Sequence, residues 1–179
     1  MEPMGLIFDN QKEIVEAQLL KMIGTDKVPG KTGWMFGYRI NPVQKDADGK
    51  PIRQLHNGVD LPNAPGYPIR TPWEARVLSA WVDTTYGGGN SVVLEHQGEA
   101  YFRRTGYAHM IRWDAATIPG AILKKGTIIG YVGSTGLSTG AHLHFTGRVM
   151  INNVLSFSDP LPQICGACGV VELPIHQVG

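Results

Sequence analysis

The stretch Gly140-Ala-His-Leu-His-Phe-Thr-Gly-Arg148 sets two histidines one residue apart, with Leu143 between them and Phe145 just after. In an extended strand successive side chains alternate faces, so His142 and His144 point one way while Leu143 and Phe145 point the other. A strand of this kind has one buried face, and the preceding Gly136-Leu-Ser-Thr-Gly140 run supplies the turn that delivers it. Two imidazoles on one face suit a metal site; they equally suit a surface strand carrying two solvated rings. Residues elsewhere in the chain have to decide.

Outward from this stretch, residues 76–84 and 90–97 read as paired strands around Tyr86-Gly87-Gly88-Gly89, with 99–110 as the next strand of a meander. Residues 126–134 add another strand, and 118–126 make the connection. The triple glycine is not a phosphate loop, because no Lys-Ser/Thr pair and no helical pattern follow it. Twenty-three glycines and twelve prolines along the chain fit many short strands joined by tight turns. The fold class expected is therefore mainly β: an antiparallel sheet or sandwich core, with a short N-terminal helix and an irregular C-terminal tail after Pro160.

Residues 10–23 read as that helix: Asn10 and Glu13 have capping-box spacing, Val15, Leu19 and Met22 form a stripe, and Gly24 is a stop. Packing on its own domain is the expected role, with anchorage to a phage tail or other assembly partner as the alternative. Residues 25–37 read as a linker. The division expected is residues 1–33 as helix and linker, 34–160 as the domain proper, and 161–179 as a tail.

A chain of 179 residues with 42% hydrophobic and 17% charged residues can bury one proper core. Sixteen basic against fifteen acidic residues leave a net charge of +1, without the basic excess that nucleic acid or an anionic membrane surface would call for. No run of about eighteen apolar residues exists to form an ordinary transmembrane helix. The opening Met1-Glu-Pro-Met-Gly-Leu-Ile-Phe lacks a basic region and a long apolar stretch, so it does not read as a secretory signal. Cys165 and Cys168 have no second pair for a structural zinc site and no βαβ setting for a redox motif, and read as an incidental or disulfide-forming pair. His96 ends an alternating strand and reads as a packed or exposed strand residue.

Leu55-His-Asn-Gly-Val-Asp60 is the second clue: His56 and Asp60 are separated by three residues, and Asn57-Gly58 bends the chain so that both can converge. Catalytic zinc sites take three His or Asp/Glu ligands and leave a fourth position open, and one of the two strand histidines would complete this set. His109 stands at the end of a strand in Gly106-Tyr-Ala-His-Met110. With that third motif the sequence resembles the lysostaphin-type, or LytM-like, zinc metalloendopeptidases of peptidoglycan, in which a His-x-x-x-Asp, a Tyr-Ala-His-Leu-like strand end and a His-Leu-His-Phe strand occur in this order. The resemblance runs from about Phe36 to Pro160.

It implies that His56, Asp60 and His144 bind zinc, while His109 and His142 stand beside the metal's open position as catalytic groups. It further implies bacterial peptidoglycan as substrate and action outside the cytoplasmic membrane, in the periplasm or cell wall; with no visible signal, a holin-released or virion-associated phage protein is the expected source, with a host enzyme exported from a longer precursor as the alternative. Arg39, Asn41, Tyr107 and Thr146, beside the motifs, are candidate substrate contacts. The resemblance departs at Asn41, where the family often has His, and at Thr146, where it often has Glu. Two other readings were weighed: a non-catalytic member of the same fold acting as a wall-binding or hydrolase-activating scaffold, which the five complete positions count against, and a lipoyl- or biotinyl-type carrier suggested by residues 123–134, which lacks the Met-Lys-Met-like tip.

Overall fold

The structure, a computed structural model, describes residues 1–20 and 33–170. Helix α1 (Gln11–Leu20) precedes a hairpin of β1 (Gly37–Lys45) and β2 (Pro51–His56), then β3 (Val59–Pro62) and β4 (Pro68–Arg70). The meander follows as β5 (Ala75–Asp83), β6 (Gly89–His96) and β7 (Arg104–Met110), with short β8 (Arg112–Trp113), β9 (Ile122–Leu123) and β10 (Ile128–Tyr131) after it. The long β11 (His142–Ile151) turns into β12 (Val154–Ser158), and α2 (Leu161–Ala167) ends the described chain. The fold is mainly β, as expected. The main sheet is antiparallel in the order β12-β11-β7-β6-β5-β9, with β3 added along the start of β11, and a second sheet runs β4-β10-β8.

Strand β11 organises the molecule because its two faces differ. Leu143 and Phe145 are wholly buried, while His142 and His144 look into a cleft. The buried face joins Val92, Leu94, Ile69 and Ile129 in one core drawn from both sheets. Each such fully buried side chain contributes roughly 1.5–3 kcal/mol of transfer free energy.

Both chain ends contribute to this core. Met4, Ile7, Phe8, Val15 and Leu19 from the first segment, and Leu161, Ile164 and Cys165 from the last, are all buried in it. Gln11 ties them together: its Oε1 accepts the Ile7 N–H at 2.7 Å and its Nε2 donates to the Ile164 carbonyl at 3.1 Å. Helix α1 therefore packs on its own domain, the expected role. The Asn10 side chain pairs with Asn63 instead of forming the expected cap, donating and accepting across 3.4 and 2.9 Å. Met22, Gly24 and most of the expected linker lie outside the described residues.

The tail expected to be irregular after Pro160 begins with α2. Apolar burial of Leu161 and Ile164 holds this short helix despite its glycine and second proline. Cys165 and Cys168 lie on it as free thiols, the first buried and the second partly so. Burial pushes the Cys165 thiol up to about 11, so it is an inert core group and not a nucleophile.

Candidate metal centre

Strand register builds the centre. β3 lies antiparallel to β11 with Asp60 directly opposite His144, and β7 on the other side sets Ala108 opposite the same histidine. His56 is the last residue of β2, and Asn57-Gly58 turn the chain straight into β3. This turn presses on β11: a Cβ on Gly58 would collide with the Phe145 carbonyl oxygen and crowd the His144 ring at 3.0 Å. A glycine there lets the two motifs approach closely enough to share a point.

Three atoms meet at that point. His144 Nδ1 is 2.9 Å from Asp60 Oδ1, His56 Nε2 is 3.2 Å from the same oxygen, and the two ring nitrogens are 3.0 Å apart. The second nitrogen of each ring fixes how these atoms are aimed. His56 Nδ1 faces the Met35 carbonyl at 2.7 Å, which only accepts, so Nδ1 carries a proton and Nε2 is turned to the centre. His144 Nε2 donates to Asn57 Oδ1 at 3.0 Å, which turns its Nδ1 to the centre as well. Burial lowers the His144 pKa, which keeps that ring neutral. Burial of Asp60 opposes its charge, but the hydrogen bonds and charges of His144 and His56 outweigh it and hold the carboxyl well below the usual carboxylate range.

Three ligand atoms thus converge on one point, held together there by a shared proton or by a cation. Two imidazoles with one carboxylate are a preferred zinc set. The other Asp60 oxygen, Oδ2, accepts from Arg39 Nη1 at 2.8 Å, which turns Oδ1 toward the centre. Arg39 therefore stands behind a ligand as its ion-pair partner while also lining the cleft.

His142 and His109 lie beside this set. His142 Nδ1 donates to the Gly140 carbonyl at 2.8 Å, and its Nε2 points inward, 3.6 Å from Asp60 Oδ1. His109 Nδ1 donates to the Thr135 carbonyl at 2.8 Å, and its ring centroid is 4.7 Å from that of His142 and 6.2 Å from that of His144. Burial pushes His109 down to about 4, so it is neutral at pH 7 with Nε2 free to accept a proton.

Simple alternation would have placed His109 on the core face with Thr105 and Tyr107. The pairing of β6 with β7 slips between Val92↔Tyr107 and Asn90↔Met110, an extra residue in β7, and His109 itself takes a positive φ of 63°. This bulge inverts the parity and re-aims the imidazole into the cleft. The Gly88 carbonyl accepts the His109 N–H at 2.7 Å, so the triple-glycine loop supports the strained residue.

The cleft has a volume of about 510 Å³. Asn41, Val43 and Leu55 of the β1–β2 hairpin form one wall, Trp81, Tyr86 and Leu137 the other, and His144, Thr146 and Gly106 lie along the floor. Thr146 shares the face of the histidines as expected and is 8% exposed. The Asn41 side-chain oxygen Oδ1 is occupied by the Val43 and Gln44 N–H groups, each at 2.8 Å. Tyr107 also lines the cleft, but its ring is 2% exposed and packed edge-on against Phe145 on the core face, so its side chain points away from a bound peptide. Asn57, which orients His144, was visible in the sequence only as a turn residue.

A carboxylate and two imidazoles facing one point, with two more imidazoles beside them in an open cleft, define a metal centre of the metallohydrolase kind. The model of peptidase family M23 matches residues 54–155, more than half of the chain, and the chain belongs to that family. It is 32% identical over 134 residues to the DD-carboxypeptidase/endopeptidase Mpg of Neisseria meningitidis serogroup B, covering 74% of this chain and 28% of that protein. It is 33% identical over 128 residues to lysostaphin of Staphylococcus simulans, covering 70% of this chain and 24% of lysostaphin. The chain thus spans about a quarter of the length of these relatives. The crystallised catalytic domain of S. simulans lysostaphin superposes with a TM-score of 0.52 at 30% identity, over 74% of this chain and 92% of that one. The catalytic domain of the prophage-encoded M23 protein EnpA from Enterococcus faecalis, in its A109H form, superposes with a TM-score of 0.50 at 26% identity, over 70% and 88%.

Proposed function

We propose that the protein is a zinc-dependent endopeptidase that hydrolyses peptide bonds in the stems or cross-bridges of bacterial peptidoglycan. The observation that carries this reading is the convergence of one ligand atom each from His56, Asp60 and His144 on a single point, flanked by the imidazoles of His109 and His142. His56, Asp60 and His144 would hold the zinc. A zinc ion in such a site supplies Lewis-acid polarisation of a peptide carbonyl and a water made nucleophilic near neutral pH.

The remaining work falls to this chain's own groups. The open cleft takes an extended peptide between the hairpin wall and the Trp81–Tyr86 wall, as a linear segment of a cross-linked wall requires. His109, neutral and bare at Nε2, accepts a proton from the attacking water and returns it to the leaving amine, and His142, carrying a proton on Nε2, stabilises charge developing on the carbonyl oxygen. Arg39 holds the Asp60 carboxylate in one orientation throughout.

The named activities of Mpg and of S. capitis ALE-1, a glycyl-glycine endopeptidase 36% identical over 128 residues, support this substrate class. Action on such a polymer takes place outside the cytoplasmic membrane; no helix among the described residues is long and apolar enough to cross one. The likeness to prophage-encoded EnpA favours a phage source, with release through a holin or from a virion tail, and mass spectrometry of purified virions tests the latter. The function itself is tested by digesting purified sacculi of directly cross-linked and glycine-bridged types with zinc-loaded protein and identifying the products. New amino termini at peptide bonds are the expected result; intact peptides in both wall types would contradict it.

A further inference from the structure

Some distance along the cleft from the metal end, the same face of the sheet carries a row of charge. Register sets Glu95 of β6 beside Arg104 of β7, Arg104 beside Arg148 of β11, and Arg148 beside Phe157 of β12. Alternation places Arg148 on the face of His144, four residues further along the strand, which is about 13 Å at the ordinary strand rise. The cleft that contains His144 also reaches Arg148 and Phe157. Between them the floor is low, because Gly106 lies opposite Thr146 and offers no side chain to block an extended peptide.

The charges in this row do not balance. Glu95 Oε1 is shared between Arg104 at 3.5 Å and Arg103 at 3.8 Å, and Arg104 Nε is buried with no partner. Arg148 has no carboxylate within ion-pair distance among the described residues; its guanidinium lies 4.3 Å above the Phe157 ring, held in place but without a counter-ion. Two guanidinium groups directly opposite on neighbouring strands repel each other, and a planar anion between cleft and strand would relieve that. Burial and the neighbouring Arg104 both work against the charge on Arg148, in the same direction.

We propose that Arg148, backed by Arg104, is a carboxylate-binding subsite that holds a free carboxylate of the wall peptide about four residues from the scissile bond. The inference rests on the endopeptidase function proposed above and narrows its substrate to stem peptides bearing such a carboxylate. The stacked, pre-oriented guanidinium offers two parallel donors to a carboxylate and no matching partner to an amide.

The test uses cross-linked muropeptides from both wall types, with their carboxylates left free or converted to primary amides by carbodiimide coupling with ammonia. The zinc-loaded parent cleaves the free form with a kcat/KM higher by about tenfold or more. Arg148→Gln loses that advantage through KM, with kcat kept, and cleaves the amidated form at the parent rate, which also shows that it is folded. Arg148→Lys retains part of the preference. Equal parent rates on both forms, or an Arg148→Gln variant slowed equally on both, would overturn the subsite while leaving the endopeptidase intact. Cleavage of neither form by the parent would overturn the function and the subsite together.

Discussion

Two buried histidine clusters occupy opposite faces of one sheet, and their hydrogen bonds differ. On the core face His96, 1% exposed, donates from Nδ1 to the Glu74 carbonyl at 3.0 Å, and its Nε2 meets the Thr105 hydroxyl at 2.7 Å. Thr105 in turn shares a bond with the Tyr107 hydroxyl at 3.0 Å, and Trp73 packs edge-on over the imidazole. Every polar atom of the His96 ring has a partner. On the cleft face the rings of His56 and His144 each have one nitrogen tied to a fixed oxygen, while their second nitrogens crowd together on the single oxygen Asp60 Oδ1. The closed cluster is structure; the open one is a place for a cation.

The widest separation between the two clusters comes from removing a ligand. Asp60→Ala and His144→Ala should each lose zinc and bring wall hydrolysis to background, measured by elemental analysis and release of new amino termini. Removing an orienting group sharpens the comparison: Asn57→Ala frees the His144 ring and should weaken zinc binding by about 10- to 100-fold, read in a chelator competition, with the fold unchanged. On the core face Thr105→Val leaves His96 Nε2 unpaired and takes one of two hydrogen bonds from the Tyr107 hydroxyl, which keeps Thr71. It should cost about 1–3 kcal/mol in denaturant unfolding while zinc content stays at the parent value.

Acid divides the two clusters by variant. Burial lowers the pKa of His96 below its ordinary 6.5, so as pH falls the unfolded chain takes up that proton first and the native state loses stability. The unfolding midpoint of metal-free protein should drop between pH 7.5 and 5, less steeply in His96→Gln. A slope unaffected by that substitution would show that His96 is not part of the effect. The smallest effect is expected from Cys165→Ser with Cys168→Ser, which should leave the hydrolytic rate within about threefold, because neither thiol reaches the cleft; loss of zinc there would break the assignment of ligands.

How much of this was legible in the sequence follows from which residues obey simple alternation. His142, His144, Leu143 and Phe145 do, and β11, its buried face and its cleft face follow directly. His56 and Asp60 converge through a two-residue turn whose residues announce it. The Tyr107 side chain obeys alternation too, and the motif around it distracted from that; applied strictly, the rule places it in the core. His109 breaks the rule through a bulge and a positive φ, which periodicity cannot report. The β1–β2 hairpin escaped because Tyr38, Ile40 and Leu55 face solvent, so its apolar residues do not mark a core face. Helix α2 escaped because two prolines and two glycines in residues 160–169 look like a loop, and only the burial of Leu161 and Ile164 on a distant core makes it helical.

The most direct measurement of the central claim is the zinc content of three proteins purified side by side: the parent, His144→Ala and His109→Ala, with hydrolysis of cell walls measured on the same samples. The parent should hold about one zinc per chain. His144→Ala should hold almost none, and His109→Ala should hold about as much as the parent while its rate falls by about a hundredfold or more. A His109→Ala protein that loses its zinc, or a His144→Ala protein that keeps it, would contradict the division of the cleft histidines into ligands and catalytic groups.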